Sequence, residues 1–251
     1  MPRTAVAKKS APVIDDLGVS TNGVIARPEP VTIRPLLQET LAFVIEGISP
    51  LKQLRFSQKA QNKMAETQKA GSQARSKRVR EARKFDDDYE SATYRFADGG
   101  YGINAGAFRN GMISTCRLVG FKMTLAKLSI FIEADGNDAL DATPLVRVFG
   151  EPHMVIDHVR NANGVADLRV RACWEEWNVI LRVRFDKEQF SSQDVYNLLV
   201  RTGAQVGIGE GRADSPNSAG TGNGFFRVEV LLHPMIKIQR TSVIILLEFI
   251  L

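Results

Sequence analysis

At 251 residues, 44% of them hydrophobic and 24% charged, the chain holds enough apolar material for a real core, which excludes wholesale disorder. No apolar run approaches a membrane-spanning length and the first residues carry no signal-like stretch, so the reading is a cytoplasmic protein with no membrane partner. The net charge of +5 is unevenly spread: residues 52–84 hold eleven Lys and Arg against two Glu, a local +9 on an otherwise mildly acidic chain.

Residues 1–35 mix Pro2, Pro12, Pro28, Pro30 and Pro35 with small residues and show no period, as expected of a flexible N-terminal arm with a short extended piece at Val31–Ile33. A strand is expected from Glu39 to Ile48, with Leu41, Phe43 and Ile45 on one face and Gly47-Ile48-Ser49-Pro50 closing it. The basic segment follows. Composition favours a helix from Ser57 to Ala70, whereas Gln73 to Lys84 is polar all round and has no face to bury. Lys52, Arg55, Lys59, Lys63, Arg75, Lys77, Arg78, Arg80, Arg83 and Lys84 are candidate phosphate ligands, and Phe85, Tyr89, Tyr94 and Phe96 beside them suit base stacking. A solvated loop whose charge serves solubility is the alternative. Asp86-Asp87-Asp88 point apart on any regular backbone and read as solvated or Arg-pairing.

Ala107 to Val119 reads as a helix with Phe108, Met112, Ile113 and Cys116 toward the core. Leu128–Glu133 and Leu145–Phe149 read as a strand pair around an Asx-rich turn. His153 and His158 have no further zinc ligand near them in sequence, so no metal site, catalytic residue or cofactor is assigned. Cys116 and Cys173 read as buried small hydrophobes in a reducing compartment. From Asp167 to Asp186 the alternation predicts a hairpin turning at Glu175-Glu176, with Trp174 opposite Trp177 and the apolar faces coinciding. Its other face would gather Arg169, Arg171, Arg182 and Arg184, a like-charge cluster that calls for an anion unless acidic groups elsewhere pair with it.

Ser192 to Thr202 reads as a helix capped by Ser192, with Val195, Leu198, Leu199 and Thr202 on its apolar face. Six glycines follow in eighteen residues: Gly207, Gly209 and Gly211, the last followed by Arg212, then Gly220, Gly222 and Gly224. Phe225 to Leu231 reads as the next strand. A dinucleotide fingerprint is excluded, because the loop follows a helix and precedes a strand. The apolar tail 233–251 must pair in a sheet or bury against a neighbouring subunit.

Helix, double glycine cluster and strand in that order resemble the C-terminal glycine loop of the RAMP superfamily, the RNA-binding backbone and processing proteins of CRISPR systems. Tyr101-Gly102-Ile103-Asn104-Ala105-Gly106-Ala107-Phe108-Arg109 resembles that family's small-residue turn into its first helix, with Asn104-Ala105 where Pro-Gly is usual and Arg109 where Lys is common. The chain also looks phage-encoded, and so at work in the cytoplasm of a bacterial host. The resemblance implies an α+β, ferredoxin-like or RNA-recognition-type antiparallel sheet over residues 36–232, with helices on one face and a basic insertion at 52–96. It further implies a non-enzymatic protein that binds single-stranded RNA or DNA and assembles into homo-oligomers or filaments along it. A structural or scaffold protein and a metal-independent ribonuclease are the alternatives.

Overall fold

The computed structural model describes residues 33–55, 65–66, 68–69, 84–160, 166–215 and 220–230. The N-terminal arm up to residue 32, Lys59, Lys63, Arg75, Lys77, Arg78, Arg80 and Arg83, and the tail from residue 233 lie outside them. The unit described below begins at Leu36.

The fold is α+β, with antiparallel sheets and few helices. Its centre is β1 (Gln38–Gly47) paired along its length with β10 (Asn178–Asp186), from Gln38↔Asp186 to Glu46↔Asn178. Alternation explains the burial. Phe43 and Ile45 of β1 face inward with Val179, Leu181, Val183 and Phe185 of β10, all essentially inaccessible. β11 (Phe226–Val230) closes the other side of β1, where Glu46 stands opposite Arg227 and pairs with it. On the far side of β10, β5 (Ile130–Glu133) and β7 (Pro144–Phe149) lie end to end. The sheet continues through β4 (Tyr101–Asn104) to β3 (Tyr94–Arg95), with the two-residue β6 (Gly136–Asn137) beside β7. Thus β5 and β7 do not pair with each other as expected; each takes a separate stretch of β10.

Helices α2 (Ala105–Thr115) and α4 (Ser192–Arg201) put Phe108, Met112, Ile113, Val195, Leu198 and Leu199 into the same core. The Asn104 side chain caps α2 by accepting from Gly106 N, so the helix starts two residues earlier than expected. The α4 cap is Ser191, one residue before the expected one, in a reciprocal capping box with Asp194. A single π-helical turn, Thr202–Val206, follows α4. Two further helices lack an early sequence signal: α1 (Phe85–Ala92), with Asp86, Asp87 and Asp88 in its first turn, and α3 (Met123–Ser129). Carboxylates at a helix N-terminus meet the positive end of its dipole, which accounts for the triple Asp.

The expected hairpin from Asp167 to Asp186 is not formed. β9 (Ala166–Trp174) belongs to a second, three-stranded sheet between β2 (Leu51–Gln53) and β8 (His153–Arg160), a strand that sequence alternation did not reveal. β10 already has β1 on one side and β5 with β7 on the other, so no edge remains for β9. The chain leaves Trp174, turns at Glu175-Glu176 and enters the main sheet, where Trp177 O accepts from Gly47 N and Trp177 Nε1 donates to Ser49 O. Both apolar faces are nevertheless buried as expected, Val170, Ala172 and Trp174 among them. Among the described residues no helix is long and apolar enough to cross a membrane.

Candidate nucleic-acid interface

The glycine loop is built against the connection between β1 and β2. Ile48 and Ser49 donate their N–H groups to Phe225 O, Gly224 N donates to Pro50 O, and Glu210 N donates to Lys52 O. The Ser49 hydroxyl gives its proton to Gly222 O at 2.8 Å and accepts from Phe225 N at 2.9 Å. Ile208 N donates to Gly224 O, which ties the two halves of the loop together. All six loop glycines take φ between +64° and +78°, the left-handed region where a Cβ is strained. At three of them backbone also crowds in, a Cβ on Gly207 standing 2.7 Å from Asn223 O. A Cβ on Gly209 would stand 2.5 Å from Lys52 O, and one on Gly224 would stand 1.9 Å from Ile208 O. These glycines let the loop lie against its own chain. Ser49 and Pro50 were invisible as partners in the sequence, since only the β11–β1 pairing brings them to the loop.

Charged side chains lock this region to the small sheet. Arg171, with only 9% of its side chain exposed, donates to Asp157 of β8 at 2.7 Å and to Glu210 of the loop at 3.3 Å. Lys52 Nζ reaches the same Asp157 at 3.0 Å. Burial pushes the Asp157 carboxyl up, but hydrogen bonds and charge from Lys52 and Arg171 outweigh it and hold the group below the usual carboxylate range.

The expected four-arginine face is dispersed, because β9 and β10 lie in different sheets. Arg169 stands opposite Asp157 in the β8–β9 ladder, with Asp167 close by. Arg182 bonds Asp135 at 2.9 Å, with Glu133 beyond, and Arg184 bonds Gln38 at 2.8 Å and lies over the Phe131 ring. Acidic groups and an amide of the protein itself lie against these charges. Two more candidates are engaged by groups of the protein itself. Arg55 is buried between Asp138 and Asp141, at 2.9 Å from each. Arg109 donates to Ile130 O at 2.9 Å and to Lys127 O, fastening α2 to the end of α3 and the start of β5. Arg212 reaches back to Gly209 O, and Lys84 is exposed at the N-terminus of α1.

What converges is the anchoring of the basic segment. It departs from Arg55, whose N–H donates to Ala92 O at the end of α1, and returns at Lys84 at the start of α1. α1 packs on β9, β2 pairs with β9, and β2 carries the Lys52 carbonyl that holds the glycine loop. Both ends of the segment and the loop are therefore fastened at one small sheet. No protein-family model and no curated protein sequence matches the chain.

Proposed function

We propose that the chain is a non-enzymatic, single-stranded nucleic-acid-binding protein of the RAMP type, assembling side by side along RNA or DNA. The order β11–β1–β10–β5, with α2 between β1 and β5 and α4 between β10 and β11, supports a ferredoxin-like core that carries large insertions. The observation that carries the functional reading is the convergence of the two ends of the +9 segment and of the glycine loop on the small sheet. A segment of this charge, its two ends fastened at the sheet that also holds the glycine loop, can follow a phosphate backbone while the rest of the molecule stays mildly acidic. The paired arginines of the two sheets are scaffold in this reading, and binding rests on the basic segment.

The test is titration of the full chain into a labelled single-stranded oligonucleotide at several salt concentrations. Affinity is expected to fall steeply with salt. Exchanging Lys77, Arg78 and Arg80 for Glu is expected to lower the log–log slope by about 0.7 for each phosphate that the variant no longer neutralises. Arg182→Ala, which removes an exposed pair worth at most about 1 kcal/mol, is expected to leave both binding and folding near the parent. Absent or salt-independent binding to both RNA and DNA overturns the proposal.

A further inference from the structure

β8 and β9 pair so that His153 stands directly across from Cys173 on one face of the small sheet. Glu175, two residues beyond Cys173, brings its carboxylate to both: Oε1 lies 3.7 Å from His153 Nε2 and 3.8 Å from Cys173 Sγ. One donor atom from each of the three residues lies within 4.8 Å of the others. In tetrahedral zinc sites the bond lengths of about 2.3 Å to sulfur and about 2.0–2.2 Å to nitrogen and oxygen set neighbouring donors roughly 3.4–3.7 Å apart. The two Glu175 spacings are close to the edges of such a tetrahedron.

We propose that His153, Cys173 and Glu175 form a binding site for a zinc-class divalent ion, with its fourth position open to water. The Cys173 residue is 1% exposed and forms the floor, whereas the His153 and Glu175 side chains, 52% and 64% exposed, form the rim. The open position therefore faces solvent. A mixed sulfur, nitrogen and oxygen set suits zinc or cobalt and not magnesium or calcium, which take oxygen ligands. Binding releases the Cys173 thiol proton to solvent, and His153 coordinates as the neutral imidazole. Thiolate and carboxylate together then neutralise the ion's two charges. Lys52, the neighbour of Cys173 on the β2 side, has its ammonium drawn onto Asp157 at 3.0 Å and so does not occupy the site. The cluster has no signature in the sequence, because His153 on β8 meets Cys173 on β9, twenty residues away, and Glu175 in the turn beyond it only through the register of the ladder.

The test uses cobalt as a spectroscopic probe on the full-length, metal-free chain. One equivalent of Co²⁺ is expected to produce a thiolate-to-cobalt charge-transfer band with four-coordinate ligand-field absorption, and Zn²⁺ is expected to bleach both. Cys173→Ala is expected to abolish the band, and Cys116→Ala, in the core far from these ligands in sequence, to retain it. His153→Ala and Glu175→Gln alter exposed positions, so they test the site even where Cys173→Ala does not fold. Each is expected to weaken cobalt binding by at least about tenfold, the loss seen when even an outer partner of a metal site is removed. A parent chain with no charge-transfer band, a band that survives Cys173→Ala, or His153→Ala and Glu175→Gln binding as tightly as the parent overturns the proposal.

Discussion

Gly224→Val is expected to be among the most damaging single changes, lowering stability by more than about 3 kcal/mol and moving the urea midpoint accordingly. Two penalties combine. Gly224 has φ +70°, and its new Cβ would lie 1.9 Å from Ile208 O, a backbone atom that no side-chain rotation can move aside. Making room means separating the two halves of the loop, which breaks Ile208 N to Gly224 O and Gly224 N to Pro50 O together. Gly222→Val is the informative contrast. Its φ of +78° is equally strained, but the nearest atom to a Cβ there is the edge of the Phe225 ring at 3.0 Å, and a side chain can give way. That variant is expected to cost about 1–3 kcal/mol and to remain folded. Urea unfolding followed by circular dichroism ranks the two, and equal midpoints would mean that the loop does not depend on its own close approach. The folded Gly222→Val chain then serves the functional question: electron microscopy of it mixed with single-stranded oligonucleotide is expected to show no long assemblies where the parent forms them.

The second large effect belongs to Arg55→Met. The guanidinium lies between two carboxylates, one of them, Asp138, with a side chain only 1% exposed. Asp138 also accepts from the N–H groups of Arg95, Leu140 and Asp141, so it is fixed in place and cannot turn to water. Removing one partner of a buried pair leaves a charge without compensation, at a cost of about 3–5 kcal/mol. Adding Asp138→Asn removes that charge and keeps an amide oxygen to accept from Leu140 and Asp141, but its NH2 cannot accept from Arg95 N–H, so the double variant is expected to recover only part of the loss. The pH dependence has a definite sign. Burial favours protonated Asp141, but hydrogen bonds from Thr143 and the charge and hydrogen bonding of Arg55 prevail and hold its pKa at about 2. A depressed carboxylate contributes stability above its unfolded value of about 3.9, and that contribution is lost as pH falls through the folded value of about 2. Without Arg55, acid unfolding is expected to begin at higher pH. An unchanged acid limb in Arg55→Met would show that Thr143 alone holds the carboxylate.

Periodicity along the chain was enough to establish which side is buried in the elements it revealed. Phe43 and Ile45, Val179, Leu181, Val183 and Phe185, Val195, Leu198 and Leu199 all turn inward as the two- and 3.6-residue repeats require, since side-chain direction follows from local backbone geometry. The double glycine loop between α4 and β11 was equally legible, because positive φ selects glycine residue by residue. Which strands become neighbours was decided only in three dimensions. Trp174 and Trp177 satisfy a hairpin pattern, yet β10 is flanked by β1, β5 and β7, and β9 finds its hydrogen bonds with β2 and β8. That choice is made by competition among distant edges for the same ladder, which no local window contains. It carried the chemistry with it. The arginines of β9 and β10 went to separate acidic partners, Arg55 sank between Asp138 and Asp141, and His153 met Cys173 and Glu175 across a ladder that the sequence alone had no means to write.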